Sequence, residues 1–141
     1  MDTPNTNQKK VTIFVVDDDK FLLDMYALKF SKSGYDVRAV DNGEEALKQF
    51  RAGTKPDIIL LDVIMPGLTG LETLEAMRKE NLTPDATVIM LTNQSMAEDI
   101  DRARRCNVDG YIVKAMAIPS EVLSEVERIY ALKNSKKQHG I

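Results

Sequence analysis

The 141 residues contain a single thiol and a single imidazole, one cysteine and one histidine. An internal disulfide is therefore impossible, and the single thiol, Cys106, fits a reducing compartment. Positive charge is not in excess either. A net charge of −3 argues against a nucleic-acid module held by broad electrostatics. No apolar run approaches the ~20 residues needed to span a bilayer. The opening stretch Met1-Asp2-Thr3-Pro4-Asn5-Thr6-Asn7-Gln8 is polar and has no secretion-signal core. These absences make the cytoplasm the expected location, with no membrane and no direct nucleic-acid partner.

What is present is ordinary for a globular protein: 43% hydrophobic and 29% charged residues, in a chain sized for one domain. Polar tails are expected at 1–10 and 134–141, around a folded unit at 11–133. Inside that unit, strand and helix patterns alternate five times. Short runs rich in Val, Ile and Leu predict strands at Thr12–Val16, Asp36–Val40, Asp57–Leu61, Thr87–Leu91 and Tyr111–Val113. Helical spacing fills the gaps. Phe21, Leu22, Met25 and Leu28 are expected to face inward on the first helix, and Ala46, Leu47 and Phe50 on the second, at Glu44–Phe50. Leu71, Leu74 and Met77 do so on the third, Gly70–Lys79. Ser95-Met96-Ala97-Glu98 reads as a capping box opening the fourth helix. The fifth follows Pro119-Ser120, with Val122, Leu123, Val126, Ile129 and Tyr130 on one face. Such alternation implies parallel strands joined by right-handed crossovers, hence an α/β sheet with helices on both sides.

In a sheet of this kind ligands gather beyond the C-terminal strand ends. Asp17 and Asp18, Asp62, Thr92 and Lys114 all fall at such ends. Grouping like charges opposes folding unless a cation intervenes. The pattern therefore reads as a divalent-metal site around a reactive aspartate. Hard carboxylate oxygens without His or Cys suit Mg2+ and disfavour zinc. An aspartate can attack phosphorus to give an acyl phosphate, and that transfer needs mainly positioning and charge neutralisation. Asp19 is best explained as the cap of the first helix.

Four stretches carry a family resemblance: Val15-Val16-Asp17-Asp18-Asp19; Asp57 to Gly70, with Leu61-Asp62-Val63-Ile64-Met65-Pro66-Gly67; Val88-Ile89-Met90-Leu91-Thr92; and Asp109-Gly110-Tyr111-Ile112-Val113-Lys114. In order and spacing the chain resembles a response-regulator receiver domain of two-component phosphorelays, of the stand-alone type. The resemblance implies a flavodoxin-like (βα)5 fold, doubly wound, with a five-stranded parallel sheet of order 2-1-3-4-5. It makes Asp62 the phosphoacceptor, and Asp17 and Asp18 metal-binding acids joined by Asp62 and the backbone carbonyl of Ile64. Thr92 and Lys114 bind phosphoryl oxygens, and Tyr111 is the switching aromatic. Mg2+ is the implied cofactor, with Mn2+ as a substitute. The implied partners are a sensor histidine kinase or histidine phosphotransfer protein and a downstream protein target, with a homodimer through the fourth helix, fifth strand and fifth helix. Such a domain is not an enzyme in the ordinary sense, because it catalyses only its own Mg-dependent aspartyl phosphorylation and slow dephosphorylation. The only histidine, His139, lies in the expected tail, so no phosphohistidine module is expected in this chain.

Two departures stand out. Ala115 follows Lys114 where the family commonly has proline. Ile64 and Gln94, two residues beyond Asp62 and Thr92, flank the path of a hydrolytic water, and an apolar Ile64 predicts slow self-dephosphorylation. Three other functions compete. A phosphotransferase of the hydrolase type wants a second acid at the Ile64 position. A flavodoxin-like cofactor carrier wants a Gly/Ser/Thr-rich loop where Asp17–Asp19 stand. The remaining alternative is a phosphorylation-independent receiver-fold protein-binding module.

Overall fold

The computed structural model describes residues 10–92, 97–114 and 118–139. The expected N-terminal tail up to residue 9, the Ser95-Met96 half of the capping box, Gln94 and Ala115 lie outside the described residues. Five strands alternate with five helices among the described residues: β1 Thr12–Val16, α1 Lys20–Lys32, β2 Asp36–Val40, α2 Gly43–Arg51, β3 Ile58–Asp62, α3 Gly70–Lys79, β4 Thr87–Thr92, α4 Ala97–Arg105, β5 Gly110–Val113 and α5 Pro119–His139. The strands form one sheet in the order β2-β1-β3-β4-β5, every pair parallel. This is the expected flavodoxin-like topology. Strand limits differ from the sequence reading by a residue at most. β3, for example, runs through Asp62 because Asp62 still pairs in register with Leu91.

Strand pleating divides the core into two layers. Ile13 and Val15, Ile58 and Leu60, Ile89 and Leu91, and Ile112 pack with α1 and α5. Phe14 and Val16, Ile59 and Leu61, and Val88 and Met90 pack with α2, α3 and α4. β3 and β4 are buried along their whole length, which is why they read as unbroken apolar runs.

Two expectations need correction. The inner row of α1 is Leu23, Tyr26 and Phe30, whereas Phe21, Met25 and Leu28 are exposed. Both rows have helical spacing, so periodicity could not choose between them. The Asp19 cap sets where the helix starts, and the packing partners on β1 and α5 set its rotation. At the other end, α5 continues through 134–139, a stretch expected to be tail. Lys133 anchors its last part by donating to Ala86 O (2.7 Å) and Asp109 Oδ2 (3.1 Å).

Candidate functional site

The same alternation that builds the core delivers the site. On β1 the inward series Ile13, Val15 continues to Asp17; on β3 the series Ile58, Leu60 continues to Asp62; on β5 Ile112 is followed two residues later by Lys114. Three charged side chains thus arrive on the α1–α5 side of the sheet, one pleat beyond the apolar layer. Thr92 continues the opposite series, Val88 and Met90, and Tyr111 packs on that second side as well. Because β1, β3 and β4 are neighbours, and β5 borders β4, residues separated by up to 97 positions meet at one edge.

Asp17 is fully buried, Asp62 is 3% exposed and Lys114 is 9% exposed, while Asp18 is exposed. Carboxylate oxygens of Asp17, Asp18 and Asp62 all lie within 4.8 Å of one another. The Lys114 ammonium sits between two of them, with Nζ 2.9 Å from Asp17 Oδ2 and 3.4 Å from Asp62 Oδ2. Asp17 is held by the Asp19 backbone N–H, which donates to its Oδ1 at 2.9 Å. Its Oδ2 forms the ion pair with Lys114 and has no hydrogen bond among the described residues. Asp19 performs the capping role expected of it, accepting from Leu22 N at 3.1 Å.

The backbone at Asp62 is fixed by α3. Gly70 N donates to Val63 O at 2.8 Å, and a Cβ on Gly70 would come within 1.9 Å of Asp62 O. Only glycine lets the helix start so close. Thr69 then caps α3 through a reciprocal bond pair with Glu72. Sequence reading placed Gly70 at the helix start but missed this approach, because the contact is to a strand eight residues earlier.

Burial raises the Asp62 carboxyl, and the neighbouring Asp17 charge raises it further. Lys114 opposes both, and the balance pushes it up to about 7 from 3.8. Burial alone would lower the Lys114 ammonium, but its contact with Asp17 and the Asp62 charge outweigh that and hold it above its ordinary value. The site as it stands is therefore short of positive charge. Three clustered hard-oxygen donors, one with a buried oxygen lacking a hydrogen bond, fit a divalent ion such as Mg2+.

Of the other expected residues, Thr92 is buried at the end of β4, and Tyr111 is half-buried on the edge strand. The Tyr111 hydroxyl is buried without a hydrogen-bond partner among the described residues. The Ile64 side chain is 62% exposed in the loop after β3. The basic residues of α4 are ordinary: Arg102 pairs with Glu75 at 3.1 Å on the surface. Cys106 is half-buried against the α2–α3–α4 layer. No helix among the described residues is long and apolar enough to cross a membrane.

Comparison with known proteins agrees with this fold. The family model described as response regulator receiver domain matches residues 13–127. The alkaline phosphatase synthesis transcriptional regulatory protein PhoP of Bacillus subtilis is 35% identical over 117 residues, which are 83% of this chain and 47% of that protein. The probable transcriptional regulatory protein TcrX of Mycobacterium tuberculosis is 32% identical over 113 residues, 80% of this chain and 47% of the relative. The chain thus spans about half the length of the curated relatives it matches. Among solved structures, chemotaxis protein CheY4 of Vibrio cholerae superposes with a TM-score of 0.78 at 26% identity, covering 86% of this chain and 99% of that one. The response regulator TrrA of Thermotoga maritima, solved in complex with Mg2+ and BeF, gives a TM-score of 0.71 at 33% identity, covering 84% and 98%.

Proposed function

The chain belongs to the response-regulator receiver domains of two-component systems, and from that premise we propose that Asp62 is its phosphoacceptor. The observation that carries the reading is the convergence of Asp17, Asp18 and Asp62 within 4.8 Å, with the Lys114 ammonium 3.4 Å from Asp62. The phosphodonor is a phosphohistidine of a sensor kinase or of a phosphotransfer protein. Asp62 Oδ attacks phosphorus in line as the P–N bond to the imidazole breaks. Mg2+, held by Asp17, Asp18, Asp62 and the Ile64 carbonyl, would neutralise the phosphoryl oxygens; Mn2+ would serve in its place.

The protein's own groups do the rest. Lys114 is already charged and buried beside Asp62, so it can follow the new negative charge without gathering from solvent. The Thr92 hydroxyl lies at the end of the strand next to β3 and is the second phosphoryl ligand. Tyr111, on the next strand and on the same side of the sheet as Thr92, has a hydroxyl with no hydrogen bond among the described residues, which supports its role as the switching aromatic. Its surroundings include a groove of about 370 Å3 lined by Ile100, Arg104 and Val113 between α4 and β5. Phosphorylation alters partner binding on the α4–β5–α5 face, where a second copy or a downstream protein docks. Switching that surface substantially needs a differential stabilisation of about 5 kcal/mol.

The exposed row Phe21, Met25 and Leu28 on α1 is the docking surface for the phosphodonor protein. It is continuous with the pocket, because α1 starts immediately beyond Asp17–Asp19. The folded unit proposed starts at residue 11 and takes in α5 through His139, and the location proposed is cytoplasmic.

The test is incubation with a small phosphodonor, with and without Mg2+, followed by intact mass. Metal-dependent gain of one phosphoryl group by the parent and none by Asp62→Asn is expected. No gain by the parent under any condition would favour a phosphorylation-independent binding module instead.

A further inference from the structure

β2 is an edge strand, and its outer side is bare. In a parallel ladder successive residues turn their backbone N–H and C=O groups to one side and then the other. Asp36 N donates to Val11 O at 2.9 Å, and Val40 O accepts from Asp17 N at 3.2 Å. Asp36, Arg38 and Val40 therefore bond toward β1, and the backbone groups of Val37 and Ala39 point away from the sheet. No bond among the described residues uses them. β2 holds no proline or lysine to blunt the edge, and its one-to-one register with β1 leaves no bulge. The flanking helices leave it uncovered. Ala39 is exposed, and a groove of about 360 Å3 lies over the C-terminal half of the strand, bounded by Leu23 and Asp24 of α1, Glu45 of α2, and Ala39 and Val40.

The strand's two charges are Asp36 and Arg38. Both are exposed, they lie on the same face of the sheet, and neither is ion-paired among the described residues. Charges of one sign on an edge would repel a second sheet. Opposite signs two residues apart do not. Two copies of β2 that pair antiparallel about a two-fold axis must bring their outward backbone groups together. Centring the pair on Arg38 sets Arg38 against its own copy, and centring on Asp36 does the same to Asp36. Centring on Ala39 pairs no charges. Centring on Val37 sets Asp36 opposite Arg38 of the second copy, twice over, at the ladder positions where facing side chains come closest.

We propose that β2 is a self-association edge: two copies of this chain join antiparallel through β2, centred on Val37, into one continuous sheet. The occupant of the edge is a second copy because the charge pattern complements itself. β2 and β5 lie at opposite edges of the sheet, so this contact leaves the α4–β5–α5 face free. Phosphorylation of Asp62 plays no part in it.

Sedimentation velocity of the full, unphosphorylated chain in EDTA should show a concentration-dependent equilibrium between monomer and dimer. Amide hydrogen exchange should show Val37 and Ala39 becoming protected as the dimer accumulates. Arg38→Asp and Asp36→Arg each set like charges opposite one another and should weaken association about tenfold or more. An equimolar mixture of these two variants restores both opposite-charge pairs between different chains, so the mixture should associate as the parent does. Ala39→Pro removes an outward N–H that no bond within the chain uses, and should weaken the dimer with the circular dichroism of the folded chain unchanged. A parent that stays monomeric at about 1 mM overturns the proposal. So does a dimer whose Val37 and Ala39 amides stay unprotected, or an Ala39→Pro chain that dimerises like the parent. Single charge variants that dimerise like the parent, or a mixture that associates no better than either variant alone, overturn it equally.

Discussion

Removing the Asp62 charge should make the metal-free protein more stable, by an amount that depends on pH. The Asp62 carboxyl is pushed up to about 7 from 3.8, chiefly by burial and next by Asp17. A difference of about 3 units corresponds to at most about 4 kcal/mol between the protonated and ionised forms in the folded state. Because the folded value is the higher one, the folded protein binds the proton more tightly than the unfolded chain. Stability from this group is therefore full below about 3.8 and lost as pH rises through about 7. At pH 8 the ionised carboxylate opposes folding, and Asp62→Asn relieves it while leaving Lys114 paired with Asp17 at 2.9 Å. Urea unfolding at pH 8 in EDTA should show the variant more stable by about 2–4 kcal/mol, the gap closing toward pH 4. Mg2+ should narrow the gap at pH 8, since ligand at ten times its dissociation constant adds about 1.4 kcal/mol to the protein that binds it. The variant, short of one carboxylate, should gain less. Equal stability at pH 8, or a gap that widens on acidification, would refute the electrostatic reasoning.

Other perturbations separate the roles of neighbouring residues. Replacing the exposed Ile64 by Asn puts a polar group near the path of the hydrolytic water and should shorten the lifetime of the phosphorylated form, measured as loss of label from isolated protein. Phe21→Ser with Leu28→Ser should slow phosphoryl transfer from a histidine-phosphorylated protein and leave transfer from a small phosphodonor unchanged; equal slowing of both would remove α1 as the docking surface. Gly70→Ala drives a Cβ to within 1.9 Å of Asp62 O, so α3 must shift. Thermal unfolding should show a loss of about 2 kcal/mol or more, with phosphorylation of Asp62 impaired in the fraction that folds.

Much of the site was legible because it is written in local patterns. A strand buried on both faces appears as an apolar run, and the first polar residue after it marks its end. Asp17, Asp62, Thr92 and Lys114 were found that way, each within a residue of the observed strand limit. Helices α2, α3 and α5 bury the residues that their spacing selects, except Tyr130 on α5, which is only half-buried. α1 broke the method because Phe21-Met25-Leu28 and Leu23-Tyr26-Phe30 are both apolar rows at helical spacing. Tyr26 was left out of the inward row for the same reason, although it is buried there.

Residue by residue, the chain alone determined which segments become strands or helices and which charged groups end those strands, because backbone periodicity and burial act over a few positions. Tertiary structure decided the rest. It set the rotation of α1, drew Lys114 closer to Asp17 than to Asp62, raised the Asp62 carboxyl and seated Gly70 against the Asp62 carbonyl. Those outcomes depend on distances between groups far apart in the chain and on the loss of water around them. Both come into being only when the strands take their places side by side.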